Sequence, residues 1–302
     1  MLVPRMHGDE VPITDELVRD LLATQCPEYA GRALVRLDTW GTDHVIYRLG
    51  DDLSVRLPKI GWAAYQGEQE SRWLPRLARH LPVAVPVPVF HGTPAQGYPY
   101  PWYVAPWIAG NNPSLEPRGL DSLARDLADF VRALQAIDAD DGPRPTGSQR
   151  GGPLAGADAS TRARAEELRA GTDVDALLAI WEAGLHAPVW AGPPRWVHGD
   201  LMDGNLLIAD GRLAAVIDWG GLKAGDPAVE LMIAWSFFDA TSRGTYRESL
   251  GFVDEAMWLR GRAWATSAAL QALPYYRDTN PDIVIRSWRT VHAVLADAQA
   301  LS

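Results

Sequence analysis

Apolar positions near the start of the chain switch from helical spacing to alternation and back again. Residues 14–25 set leucines and a valine among acids at helical spacing, with Thr14 as N-cap and Leu17 four residues after Ile13, and predict a short helix. Three strand-like pieces follow at 33–37, 44–49 and 53–57, the last two joined by the turn residues Gly50, Asp51 and Asp52. Residues 61–80 return to helix formers, with Tyr65, Trp73, Leu74 and Leu77 on one apolar face and Pro75 disturbing the run.

Residues 83–90 are apolar, yet Pro82, Pro86 and Pro88 make this an extended edge or connecting segment rather than a central strand. A further strand at 100–108 ends in Ala109-Gly110-Asn111-Asn112-Pro113, turn residues suited to a crossover, and the lobe boundary belongs there. Beyond it, Leu123, Leu127, Phe130, Val131 and Leu134 form one face of an amphipathic helix over 120–137. Residues 140–159 are rich in glycine and proline and read either as a long functional loop or as a mobile excursion. Helical patterns resume at 163–185, broken near Gly171, and again from 227 to 301. Strands before helices, with no internal repeat, predict an α+β fold.

Composition narrows the function classes. A chain of 302 residues with 47% hydrophobic and 22% charged residues is an ordinary folded protein with room for two lobes. Its formal charge of -10 and isoelectric point near 5.2 disfavour a nucleic-acid partner and suit a cationic small substrate. The single cysteine, Cys26, allows no intrachain disulfide, reads as a small apolar filler, and fits a reducing cytoplasm. Acids and prolines in residues 1–14 do not make a signal peptide, and no apolar run reaches bilayer-spanning length, so neither export nor membrane insertion is expected.

The chemistry gathers in Trp196-Val197-His198-Gly199-Asp200-Leu201-Met202-Asp203-Gly204-Asn205 and, past a turn at Asp210-Gly211, in Ile217-Asp218-Trp219-Gly220. Two short apolar strands flank a polar loop, and a hairpin returns Asp218 toward Asp200 and Asn205. Phosphoryl transfer needs such a set, because its barrier falls when the nucleophile is aligned and charge on the transferring oxygens is neutralised. Magnesium takes hard oxygen ligands of the kind Asn205 and Asp218 offer, and Asp200, outside the metal shell, can accept the proton of an incoming hydroxyl. The D-x-x-x-x-N spacing equals that of the protein-kinase catalytic loop, and Asp218-Trp219-Gly220 is a variant of its D-F-G metal site. A lone H-x-D would be an ordinary loop; two motifs at this separation are not. A metallohydrolase would want several histidines or cysteines beside the acids, and only His198 is close in sequence.

His198-Gly199-Asp200 with Asn205, then Ile217-Asp218-Trp219-Gly220 and Gly225-Asp226-Pro227, resembles the signature of the aminoglycoside phosphotransferase family over most of the chain. That resemblance implies a bilobal protein-kinase-like fold, with a small antiparallel-sheet nucleotide-binding lobe at 1–110 and a larger, mainly helical catalytic and acceptor-binding lobe at 111–302. It makes Asp200 the catalytic base, His198 the support of the catalytic loop, and Asn205 and Asp218 the Mg2+ ligands; Asp203 matches no fixed role. Arg56 stands where the third strand of this fold carries a phosphate-binding lysine, with Lys59 a nearby substitute, and Glu70 fits the position of its helix partner better than Glu68. Gly41 belongs to a shortened nucleotide loop or to a plain hairpin turn. Backbone groups around Val104 to Trp107 would read the purine edge. Asp226, Glu230, Asp239, Asp254, Glu255 and Asp278 fall in the acceptor-binding lobe, Glu230 where family members often carry aspartate. Trp219, Trp235, Trp258 and Trp288 are mostly core, with a few lining the acceptor site.

The expected activity is transfer of the γ-phosphoryl group of ATP or GTP to a hydroxyl of a small molecule, an aminoglycoside or other antibiotic, inactivating it. A metabolic kinase for choline, homoserine or a sugar shares the same residues. A pseudokinase would have lost the base or a metal ligand, and all three are present.

Overall fold

The computed structural model describes residues 9–37, 43–113 and 120–300. The chain divides into two compact units, one of Met1–Arg79 with Ala84–Ala109, the other of His80–Val83 with Gly110–Ser302.

In the first unit, Thr14 caps α1 (Asp15–Gln25) by accepting the Leu17 N–H at 3.2 Å, and Asp15 and Glu16 favour the positive end of the helix. A single turn, α2 (Pro27–Ala30), leads into β1 (Leu34–Arg36), β2 (His44–Leu49) and β3 (Leu53–Pro58). With β4 (Phe90–Gly92) and β5 (Trp102–Pro106) these make an antiparallel sheet in the order β1-β2-β3-β5-β4, so the proline-studded segment enters the sheet only at its edge. Val18, Leu21 and Leu22 of α1 bury one face with Tyr47, Leu49, Val55, Leu57 and Val104. Cys26 lies in that core, and burial pushes its thiol up to about 11, as a filler role requires.

The other face carries α3 (Gly61–Leu77), which is why every residue of β3 is buried. Gly67 permits the close approach: a Cβ there would stand 3.0 Å from the Tyr103 ring. Trp73, Leu74 and Leu77 are buried as expected, but Tyr65 is 55% exposed. Nine residues before Leu74 is about two and a half helical turns, which turns Tyr65 to the opposite side. The inward positions are instead Ala63, Gly67 and Glu70.

The second unit is helical around α9 (Glu255–Tyr276), which packs on α6 (Val174–His186) and α10 (Pro281–Gln299). Gly184 lets α6 and α9 cross closely, since a Cβ there would come within 2.3 Å of the Ala263 Cβ. The amphipathic α4 (Asp121–Ala136) buries the leucines, phenylalanine and valine expected of it and packs on α8 (Ala240–Leu250). Gly171 separates α5 (Asp158–Glu166) from α6. Short strands β6 (Arg195–Val197), β7 (Leu206–Ala209), β8 (Arg212–Val216) and β9 (Lys223–Gly225) form two ladders, β6 with β9 and β7 with β8, and the one-turn α7 (Ile233–Ser236) completes the set.

Residues 140–159 are a loop held by the fold. The Ala224 N–H donates to the Pro143 carbonyl at 2.8 Å and the Asp226 N–H to the Gly151 carbonyl at 2.7 Å, which fastens the segment alongside β9. Among the described residues no helix is long and apolar enough to cross a membrane.

Candidate active site

The ladder of β6 with β9, pairing Val197 with Lys223, clamps the two ends of a polar excursion over 198–222. At its start Gly199 takes φ +77°, and a Cβ there would lie 2.7 Å from the Gly221 carbonyl oxygen. Only glycine allows this turn at that contact. The turn places His198 inward, fully buried, and Asp200 at the surface end. His198 Nε2 lies 3.0 Å from the Ile217 carbonyl, while its Nδ1 accepts the Asp200 N–H at 3.2 Å. These partners define a neutral imidazole protonated at Nε2, and burial lowers its proton affinity in the same sense. Trp219 packs on the ring at 4.8 Å between centroids and is itself fully buried, so it is core and lines no acceptor site.

The hairpin of β7 and β8 returns the chain. Its register sets Leu206 opposite Val216, and the Ile217 N–H continues it onto the Asn205 carbonyl at 2.9 Å. Asp218, in the left-handed region at φ +64°, therefore begins one residue beyond Asn205's partner. The Asn205 amide Nδ2 donates to the Asp200 carbonyl at 2.8 Å, which leaves Oδ1 as its oxygen for a cation. Asn112 ties down the same loop by donating to the carbonyls of Gly204 at 2.7 Å and Leu206 at 2.9 Å.

Three further contacts hold this loop; those of Asp203 and Arg150 were hidden in the sequence, whereas Glu230 stands where a loop-supporting contact was expected. Asp203, which matched no fixed role, is 1% exposed and paired with Arg286 at 3.0 Å and Arg289 at 3.4 Å, both from α10. Glu230 is equally buried and accepts the Gly199 N–H through Oε1 at 2.9 Å, while Oε2 has no hydrogen-bond partner. Burial pushes its carboxyl up to about 7, against the pull of the backbone N–H groups it accepts. The third is Arg150, whose Nη1 donates to Asp200 Oδ1 and reaches the Gly199 carbonyl at 3.3 Å.

Four of the acids in this lobe have duties in the fold, and Asp278 is exposed. Asp226 binds Arg260 through two hydrogen bonds, at 2.7 and 3.2 Å; Asp239 and Asp254 cap α8 and α9, and Glu255 pairs with Arg247. Trp235 and Trp258 are buried against each other.

In the first unit, Arg56 and Glu70 face each other at 4.0 Å, both buried, and Tyr103 donates to Glu70 Oε2 at 2.5 Å. Glu68 is exposed, and Lys59 pairs with Glu10 at 3.7 Å. The Arg56 guanidinium also lies over the Tyr103 ring at 5.5 Å. Of the backbone groups around Val104 to Trp107, two are engaged within the first unit. The Val104 carbonyl accepts the Val89 N–H at 2.8 Å and the Trp107 N–H donates to the Asp52 carbonyl at 2.8 Å, both within the sheet region. Gly41 lies outside the described residues.

Among the described residues no group of three or more His, Cys, Asp or Glu side chains could hold a metal. The donor set that Asn205 and Asp218 offer is one amide oxygen and one carboxylate, hard ligands that leave further positions to phosphate and water.

Comparison with known proteins accords with this geometry. The model of the phosphotransferase enzyme family matches residues 35–264. Among curated proteins, the uncharacterized protein YcbJ of Bacillus subtilis (strain 168) is 25% identical over 201 residues, 62% of this chain and 58% of that protein's length. The GDP complex of wild-type aminoglycoside 2'-phosphotransferase-IIIa superposes with a TM-score of 0.73 at 19% identity, covering 94% of this chain and 100% of that one. The apoenzyme of macrolide 2'-phosphotransferase MphH from Brachybacterium faecium gives 0.62 at 22% identity, covering 92% and 97%. At such identities these structures establish the fold, and the family model, matched over most of the chain, establishes kinship: this chain belongs to the phosphotransferase enzyme family.

Proposed function

We propose that this protein transfers the γ-phosphoryl group of ATP or GTP to a hydroxyl of a small molecule, with Asp200 as catalytic base. The observation that carries the reading is the loop itself: an acid at a glycine turn, an amide bonded back to it, and a second acid delivered by the hairpin. Asp200 takes the hydroxyl proton as the acceptor oxygen bonds to phosphorus, and the bond to the bridging oxygen breaks, releasing the nucleoside diphosphate with its electron pair. His198, buried and neutral, holds the loop by bonding Ile217 on one side and Asp200 on the other. Asn205, through Oδ1, and Asp218 would hold a magnesium ion, whose charge offsets that of the phosphate oxygens.

Residues 1–110 serve as the nucleotide-binding lobe and residues 111–302 as the catalytic and acceptor-binding lobe. Arg56, steadied by Glu70, binds α- and β-phosphate oxygens as a planar donor fork in the place of a lysine. With the Val104 carbonyl and the Trp107 N–H engaged elsewhere, the Trp107 carbonyl and Ile108 N–H take the purine edge. The acceptor is an antibiotic of the aminoglycoside or macrolide kind, the compounds named for proteins of this fold. The charge of -10 supports a cationic one. A lone buried cysteine suits work in the cytoplasm.

The test is release of nucleoside diphosphate by purified protein with magnesium and ATP or GTP, across aminoglycosides, macrolides, choline and homoserine. Acceptor-dependent turnover that disappears in Asp200→Ala is expected. Stimulation by choline or homoserine alone would move the acceptor to metabolism, and turnover that survives in Asp200→Ala would refute the assignment of the base.

A further inference from the structure

The glycine- and proline-rich segment delivers a cation to the catalytic acid. On either side of Arg150 the loop is fastened to β9, through Pro143 to Ala224 and through Gly151 to Asp226. The approach is as close as backbone permits: Gly151 takes φ +83°, and a Cβ on Gly225 would stand 2.3 Å from the Gly151 carbonyl oxygen. Gln149 closes the turn by accepting the Thr146 N–H at 2.9 Å. Arg150 thus extends from a fixed frame, and its contacts to Asp200 and Gly199 both use Nη1. The side chains of the pair are 35% and 31% exposed, and the contacts to Asp200 and Gly199 leave Nε and Nη2 as further donors of the guanidinium.

We propose, on the basis of the phosphotransferase reading above, that Arg150 is a catalytic residue that donates hydrogen bonds to the phosphoryl group as it passes to the acceptor. The acceptor oxygen must come within about 2.6–3.2 Å of the Asp200 carboxylate to lose its proton. Phosphorus must approach that oxygen to about 3–3.5 Å. A guanidinium already touching the same carboxylate is then within reach of the equatorial phosphoryl oxygens. Charge spreads over those oxygens in the transition state, and a preorganised donor fork stabilises it more there than in the ground state. Asp200 Oδ2 accepts Asn205 Nδ2 in a long bond of 3.4 Å and, as a carboxylate oxygen, keeps a further acceptor position for the hydroxyl. No new bond is made by Arg150; the proton still goes to Asp200 and the electron pair to the nucleoside diphosphate.

Purified Arg150→Ala and Arg150→Lys chains, compared with wild type and Asp200→Asn, test this. Magnesium nucleotide hydrolysis serves as the assay, with water as acceptor, so that no acceptor need be known. Arg150→Ala should lower kcat about 100-fold or more, leave the nucleotide KM within about threefold, and recover activity when guanidinium is added. Its affinity for nucleoside diphosphate with aluminium fluoride, which mimics the phosphoryl in flight, should fall in parallel, while affinity for the diphosphate alone stays. Arg150→Lys should be intermediate, since a point charge replaces the fork. An unchanged kcat, or a lowered kcat with neither guanidinium rescue nor weaker fluoride binding, overturns the proposal. If wild type is inactive and indistinguishable from Asp200→Asn, the phosphotransferase reading fails and this proposal with it; if wild type is active and the Arg150 variants equal it, only this proposal fails.

Discussion

Gly199 shows how little room the catalytic turn has. An alanine there must adopt φ +77° and push its Cβ to 2.7 Å from the Gly221 oxygen, so Gly199→Ala should lose about 1–3 kcal/mol of stability and displace Asp200. Chemical denaturation and turnover together check both effects. Glu230 carries a pH signature. Its folded carboxyl titrates near 7, above the ordinary value of 4.5, because burial opposes its charge and Asp200 repels it. Between those values the folded chain keeps a proton that the unfolded chain has released, so stability falls as pH rises through this window by up to about 1.4 kcal/mol per unit. Glu230→Gln should remove that slope, matching wild type near pH 4.5 and exceeding it above pH 7 in denaturant titrations. A variant that tracks wild type across the range would show that Glu230 ionises freely. At this scale the sequence revealed residues whose partners are near in the chain. Asp200, Asn205 and Asp218 were legible because one loop and one hairpin bring them together. Arg150 and Asp203 were not, since their partners stand 50 and 83 residues away and no local spacing encodes such pairings.

Elements were read most faithfully where one periodicity met one buried face. α1 and α4 appeared from their leucines because each buries a single stripe, and β2 and β3 from the turn between them. Tyr65 faces outward because apolar character alone does not set direction, while the inward positions of α3 include Gly67 and Glu70, whose burial depends on Tyr103 and Arg56 across the sheet. The segment 140–159 stayed ambiguous because its order comes from backbone bonds to β9, which composition does not register. One element also acts at a distance: α10 grips the loop over 198–205 through Arg286 and Arg289 on Asp203. Asp203→Ala leaves two guanidiniums whose side chains are 25% and 26% exposed and which water can reach, so the stability cost should stay at about 1–3 kcal/mol. The loop loses its anchor, however, and kcat should fall while nucleotide affinity holds. Arg286→Met, which keeps Arg289 on Asp203, should lose less of both. Equal losses in the two variants would show that the anchor is general packing rather than this carboxylate.

For the whole molecule, the order of strands and helices and the two motif groups were enough to anticipate the α+β architecture, whereas net charge is a nudge toward a cationic acceptor and identifies no pocket. Asp226, Asp239, Asp254 and Glu255 are engaged by Arg260, two helix caps and Arg247, so the charge of -10 describes a surface and a set of internal pairs more than a pocket. Nucleotide binding offers a test that needs no acceptor. Anything bound only by the folded chain stabilises it, by about 2.7 kcal/mol at a hundredfold excess over Kd, so ATP or GTP with magnesium should raise Tm by several degrees. The increment should divide by residue. If Asn205 and Asp218 hold the ion as proposed, Asp218→Asn and Asn205→Ala should abolish the part that requires magnesium and spare the part seen with chelator present. Glu70→Ala should diminish both parts, since Arg56 then loses the carboxylate that faces it at 4.0 Å and presents a mobile fork to the phosphates. A nucleotide shift that is the same with and without magnesium in wild type would remove Asn205 and Asp218 from the metal role while leaving Arg56 and Glu70 in theirs.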